Sequence, residues 1–239
     1  MPAEPSVAVA IFARAPRAGR TKTRLAAAIG AERAASLYRA FLDDVVAKVR
    51  AWPTARPVLW AAAPDDVAPL AALHPDLEVR PQPAGDLGAR MGSALADGLT
   101  RGPRTLLIGS DVPTAPSALL RAAARALEHA GSVWGPVADG GFWLVGARDR
   151  PPDLAGGVRW SSRHALADSL RRAPPGRAVL LRPWYDVDTP EDLRLLRAHL
   201  AVRPRDAPVT AAALGVAGRG PGSRSRNGAA RHFDPASGA

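Results

Sequence analysis

The chain contains no cysteine, which removes both a disulfide framework and any thiolate metal site. A bound metal would have to be held by oxygen or imidazole ligands, so the carboxylates come first. Nowhere does the run of roughly 18–20 apolar residues needed for a membrane span occur. The segment 1–6 lacks the basic and apolar regions of a secretory leader, so a cytoplasmic protein without a membrane partner is expected. Aromatic residues make up only 5%, and no basic stripe interleaves with them. Nucleic acid is therefore not expected as a partner, despite a net charge of +10. Lysine is scarcer still: Lys22 and Lys48 are the only two among 32 basic residues. A lysine kept in so arginine-rich a chain marks a place for a compact, rotatable ammonium. His74, His129, His164, His199 and His232 fall in helix or loop settings with no nucleophile beside them, so they read as surface or packing residues.

What is present fits one core. With 239 residues, 47% of them hydrophobic, the chain supports one sizeable domain, expected over residues 1–202. Short apolar runs at 7–13, 57–63, 77–80, 105–108, 132–137, 142–145 and 178–181 predict strands. Helices are expected at 31–52, where Leu37, Phe41, Val45 and Val49 recur every fourth position, and at 66–73, 87–99, 117–129, 163–172 and 190–200. Pro69 should break or shorten the second of these. Thr189, Pro190 and Asp192 form a well-marked start for the last. Strands alternating with helices imply a mostly parallel sheet covered on both faces, with chemistry just after the strands. Residues 203–239 are rich in Pro, Gly, Ser, Ala and Arg without periodicity, so a disordered and dispensable basic tail is expected there. Nothing in the sequence fixes an oligomeric state.

Five blocks carry chemical possibilities. After the first strand, Arg14, Gly19, Arg20, Lys22 and Arg24 form a basic loop suited to cradling phosphates, although it lacks the glycines of a Walker loop. A solvated basic loop is the competing reading. Gly85, Asp86, Gly88 and Arg90 could wrap a base or ribose, or Asp86 could simply cap a helix. Asp111, in Gly109-Ser110-Asp111-Val112-Pro113, sits where a strand ends and could hold a hard cation, or only form a turn. Asp139, Gly140 and Gly141, followed by Phe142 and Trp143, could line an acceptor pocket or make a plain hairpin. Asp186 and Asp188, two residues apart, suggest shared metal binding or helix capping.

In order, these blocks together with Trp160-Ser161 resemble the bacterial glycosyltransferase-A-like transferases associated with radical-SAM and selenodomain proteins, over roughly residues 7–200. Phe142-Trp143 departs from the tyrosines usual there. The resemblance implies a nucleotide-diphospho-sugar transferase fold, an α/β three-layer sandwich, with Mg²⁺ or Mn²⁺ at Asp111. A wider similarity is to the guanylyltransferases of phospholactate and molybdenum cofactor, which carry a single Asp-x-Pro as Asp111 to Pro113 does here. The expectation is a metal-dependent, glycosyltransferase-like transfer from a nucleotide or nucleotide-sugar donor to a small-molecule acceptor; the alternatives are guanylyltransferase-like nucleotidyl transfer to a small phosphorylated or acidic acceptor, and a non-catalytic nucleotide-binding protein. Lys22 and Asp111 are the expected catalytic pair. Arg14, Gly19, Arg20, Arg24, Gly85, Asp86, Gly88 and Arg90 are the nucleotide contacts, Asp139, Gly140, Gly141 and Trp143 the acceptor contacts, and Asp111, Asp186 and Asp188 the metal ligands.

Overall fold

The computed structural model describes residues 7–173 and 177–216. Its strands are β1 (Val7–Ala13), β2 (Ala55–Ala61), β3 (Glu78–Pro81), β4 (Arg104–Gly109), β5 (Ser132–Pro136), β6 (Phe142–Arg148) and β7 (Ala178–Leu180). The helices are α1 (Thr23–Ile29), α2 (Ala31–Arg50), α3 (Val67–Leu73), α4 (Leu87–Arg101), α5 (Ser117–Ala126), α6 (Ala165–Arg171), α7 (Pro190–Val202) and α8 (Pro208–Ala213). All seven strands join one sheet in the order β3-β2-β1-β4-β6-β5-β7, parallel except for β6. Central β1 is buried along almost its whole length, as expected of a strand covered on both faces. Pro69 does not break α3, because it lies in the first turn, where backbone N–H groups have no helical partner.

The chain winds outward from β1 to β2 and β3 on one side and reaches β4 on the other, so the order reverses between β1 and β4. Beyond their carboxyl ends is the crevice where such sheets bind ligands. Because β6 runs backwards, the segment entering it lies at that same end, as do the segments leaving β5 and β7. This topology brings the sequence blocks together. No helix among the described residues is long and apolar enough to cross a membrane.

The tail expectation needs correction over its first part. A 3₁₀ turn (Pro204–Asp206) follows α7 and packs on it, and α8 packs on α2. Ala207, Ala211 and Leu214 are buried in a cluster with Leu37, Phe41 and Leu200. The Asp44 carboxylate, itself buried, accepts the backbone N–H groups of Val209 (3.1 Å) and Thr210 (2.7 Å), so it caps α8 from another helix. Composition hid this, because the partner lies 165 positions away. Residues 217–239 of the expected tail, and the 1–6 segment, lie outside the described residues. A chain ending at Val202 should therefore lose about 3 kcal/mol, a drop of roughly 6–12 °C in Tm, through uncovered apolar surface and an orphaned carboxylate. Differential scanning calorimetry of the two chain lengths checks this, and equal melting temperatures would contradict it.

Candidate active site

Two cavities meet at the carboxyl ends of β1 and β4. The first, of about 620 Å³, is lined by the basic loop, with Arg14, Arg20, Lys22 and Arg24, by Tyr38 and Gln82, and by Arg90 of α4. The second, of about 550 Å³, runs between α4, the start of β6 and the 160–165 segment. Phe12, Arg24, Leu87, Gly109, Asp111 and Asp188 line both, so they form the junction.

Beside that junction, on the side of the first cavity, sits Lys22. Its backbone is left-handed, with φ 52° and ψ 50°, which for a non-glycine residue costs about 1–3 kcal/mol and has to be enforced by its surroundings. The enforcing contacts are electrostatic. The ammonium donates to Asp111 Oδ2 at 3.3 Å and, in a shorter contact, to Asp188 Oδ1. It lies 5.9 Å from the centre of the Tyr38 ring, and only 7% of the side chain is exposed. Burial opposes its charge, but Asp111 and Asp188 outweigh burial and hold its pKa above that of an ordinary lysine. The Tyr38 hydroxyl accepts the Arg14 N–H (2.9 Å) and shares a hydrogen with Ser110 Oγ (2.6 Å), tying α2 to both loops.

Asp111, Asp186 and Asp188 can each present a carboxylate oxygen within 4.8 Å of the others, the only such acidic group among the described residues. Asp111 also fixes the segment that carries Asp186 and Asp188, since its carbonyl accepts the Val187 N–H at 3.0 Å. Burial, followed by the Asp111 and Asp188 charges, pushes the Asp186 pKa up to about 7. Its folded pKa is thus above the unfolded value, so its contribution to stability is fully present only below the unfolded carboxylate range and is lost as pH rises from there through 7. Asp186→Asn should remove that slope and leave the metal-free protein about 1–2 kcal/mol more stable than wild type at pH 8, a range already discounted for partial exposure. Urea titrations between pH 5 and 8 read this directly, and parallel stability curves for both proteins would refute it.

Not every expected contact reaches the cleft. Asp86 caps α4 by accepting the Ala89 N–H at 2.8 Å, and it lines neither cavity. Gly85 sits at φ 123° ahead of that cap, its carbonyl held by Arg90 Nε at 3.0 Å. Gly88 is buried where a Cβ would lie 2.1 Å from the Leu154 carbonyl oxygen, so its smallness serves packing. Gly19 turns the basic loop on its outer side, where Arg17 and Arg20 pair with Asp65 at 2.5 and 3.2 Å. Gly140 packs against Arg163: a Cβ there would sit 2.0 Å from that residue's carbonyl oxygen. Asp139, Gly141 and Trp143 do line the second cavity. Lys48 is not a free surface lysine: its ammonium donates to the Pro113 carbonyl, bracing the Asp111 loop from behind, and burial lowers its pKa to about 8. Tyr38, Gln82, Ser162 and Arg163 line the cleft without having been marked by the sequence. Tyr38 had a faint signal, as a hydroxyl-bearing ring on the apolar face of α2.

A family profile described as an uncharacterized protein conserved in bacteria (DUF2064) matches residues 45–162. A solved structure, a provisionally named nucleotide-diphospho-sugar transferase from Desulfovibrio desulfuricans G20, is 30% identical over 87% of this chain and 94% of its own, with a TM-score of 0.79. The chain belongs to the DUF2064 family. No curated protein matches it. More distant neighbours of this DUF2064 protein share the fold. One is 4-diphosphocytidyl-2C-methyl-D-erythritol synthase from Anaerococcus prevotii DSM 20548, at 13% identity over 82% of this chain and 96% of that one, TM-score 0.54. Another is Rv0371c from Mycobacterium tuberculosis H37Rv, solved with manganese, at 19% identity over 80% and 97%, TM-score 0.52. The fold is that of the nucleotide-diphospho-sugar transferases.

Proposed function

We propose that this DUF2064 protein transfers a group from a nucleotide-activated donor to a small-molecule acceptor with the help of a divalent metal, as a glycosyltransferase-like enzyme of the selenodomain-associated type. The observation that carries the reading is Lys22, a buried ammonium held between Asp111 and Asp188 where a basic cavity opens onto a second one. In the first cavity Arg14, Arg20, Lys22 and Arg24 receive the donor's phosphates and Arg90 the nucleoside end, each cation strengthening as charge builds on the departing phosphates. The residues suit a metal: three half-buried carboxylates crowd together with Asp186 resisting ionisation, the arrangement a hard divalent cation relieves. Asp111, Asp186 and Asp188 would hold Mg²⁺ or Mn²⁺, which supplies charge neutralisation to the phosphates. The manganese-bound neighbour supports the same view.

The acceptor enters from the second cavity past Asp139, Gly141 and Trp143. Its oxygen forms the new bond to the anomeric carbon, the carbon–oxygen bond to the nucleoside diphosphate breaks with its electron pair on phosphate, and the acceptor proton passes to solvent. No covalent enzyme intermediate is required, since positioning and fixed charge suffice. A nucleotidyl reading rests on Pro113, which stands where an Asp-x-Asp motif would place its second carboxylate, and on the cytidylyl-type neighbour. In that reaction the bond forms at the α-phosphorus and pyrophosphate leaves. The leaving group discriminates: release of nucleoside diphosphate from nucleotide sugars supports glycosyl transfer, and release of pyrophosphate from nucleoside triphosphates supports nucleotidyl transfer. No release from any donor in the presence of Mg²⁺ or Mn²⁺ would leave a binding protein without catalysis.

A further inference from the structure

The two cavities differ in charge and in floor. Five cations face the first, Arg14, Arg20, Lys22, Arg24 and Arg90, against the two shared carboxylates. Four carboxylates, Asp111, Asp139, Asp186 and Asp188, face the second, against Arg24 and Arg163. An anion is therefore drawn to the first cavity, whereas the second, once a divalent cation sits on Asp111, Asp186 and Asp188, is close to neutral and offers an anion no comparable attraction.

The floor of the second cavity is apolar. It is reached between α4 and the sheet and is formed by the partly buried rings of Phe142 and Trp160, backed by Met91, Leu107 and Val145. Phe142 meets Trp160 edge-on at 6.3 Å and Trp134 at 4.9 Å, so the ring that lines the cavity is held from behind. Polar groups lie instead at the mouth and junction, with Ser161 at φ 55° on the rim. A ligand that matches this space carries a polar, uncharged nucleophile toward Asp111 and Asp188 and an apolar body away from them.

From this charge asymmetry and apolar floor, we infer that the acceptor is a neutral, amphipathic hydroxyl compound whose apolar part lies on Phe142, Met91 and Trp160, and not a phosphorylated or acidic metabolite. The inference rests on the donor reading for the orientation of the nucleophile. It replaces the phosphorylated or acidic acceptor that a guanylyltransferase-like reaction would use.

Three probes separate the contributions in calorimetric titrations run with Mg²⁺ and the first cavity saturated by a nucleoside triphosphate or nucleotide sugar. n-Octyl glucoside below its micellar concentration has the apolar body and no charge, methyl glucoside lacks the body, and octyl phosphate adds a charge. Octyl glucoside should bind at least about tenfold more tightly than either of the others. Phe142→Ala should weaken it by a similar factor while leaving nucleotide binding unchanged. Leu87→Gln, at an exposed position where the two cavities join, provides a second variant should the first fail to fold. Octyl phosphate or methyl glucoside binding as tightly as octyl glucoside would overturn the inference, as would indifference of octyl glucoside to both substitutions. A chain that bound octyl glucoside through Phe142 but no nucleotide would overturn the donor reading and uphold this one.

Discussion

Lys22→Ala is expected to weaken binding of a nucleotide donor by roughly 10- to 100-fold, the loss of a charge-assisted phosphate contact, and to slow turnover by more if that contact tightens in the transition state. The same substitution should have the opposite effect on metal. Without nucleotide, the Lys22 ammonium occupies the space between Asp111 and Asp188 and opposes a second cation there. Its removal should tighten Mn²⁺ binding and lower the metal-free stability at neutral pH by about 1–3 kcal/mol, because crowded carboxylates lose their internal counter-ion. Millimolar Mn²⁺ should then restore most of that stability. Lys22→Met, of similar length without charge, separates charge from packing, and Lys22→Arg should recover only part of the activity because a planar fork does not replace a compact ammonium. Calorimetry with nucleotide alone and Mn²⁺ alone measures the two signs. Equal affinities in wild type and both uncharged variants would leave Lys22 a structural ion-pair partner of Asp111 and Asp188 with no part in holding phosphate.

Asp111→Asn is the second large effect. The amide is nearly isosteric, and the backbone carbonyl that takes the Val187 N–H is untouched, so the fold should persist. Removing one of three charges should cut Mg²⁺- or Mn²⁺-dependent nucleotide binding by roughly 10- to 100-fold. Lys22 then keeps Asp188 as its remaining carboxylate partner, so part of the metal-independent binding should survive. Unchanged metal dependence would move the site toward Asp186 and Asp188 alone.

The layout of the fold was legible because its signals are local. Buried β1 reads as an apolar run, and the Thr189 capping box, with Asp192 answering Thr189, is written within four residues. Other features depend on distant partners and left no local trace. Lys22 lies 89 positions from Asp111 and 166 from Asp188, so three separate motifs could be marked but not their ion pairs. The short α1 escaped notice because Lys22 precedes it in a left-handed conformation, with no side-chain cap to announce the start. Asp86 shows the reverse: of the two readings of an acidic residue before a glycine-bearing helix, the cap is the one a local bond makes, from the Ala89 N–H to its Oδ1. Lys48 is hidden for a related reason: on an amphipathic pattern it reads as surface, whereas the Asp111 loop folds over it and its ammonium donates to the Pro113 carbonyl.

The central claim is that Asp111, Asp186 and Asp188 bind a divalent metal that promotes nucleotide binding in the cavity lined by Lys22. Calorimetric titration of the full chain with nucleoside triphosphates and nucleotide sugars, with and without Mn²⁺, tests it most directly. The account predicts at least one nucleotide that binds at about tenfold higher affinity with Mn²⁺ than without, a difference abolished in Asp111→Asn. Nucleotide affinity that is the same with and without the metal, or equally metal-dependent in Asp111→Asn, would contradict it.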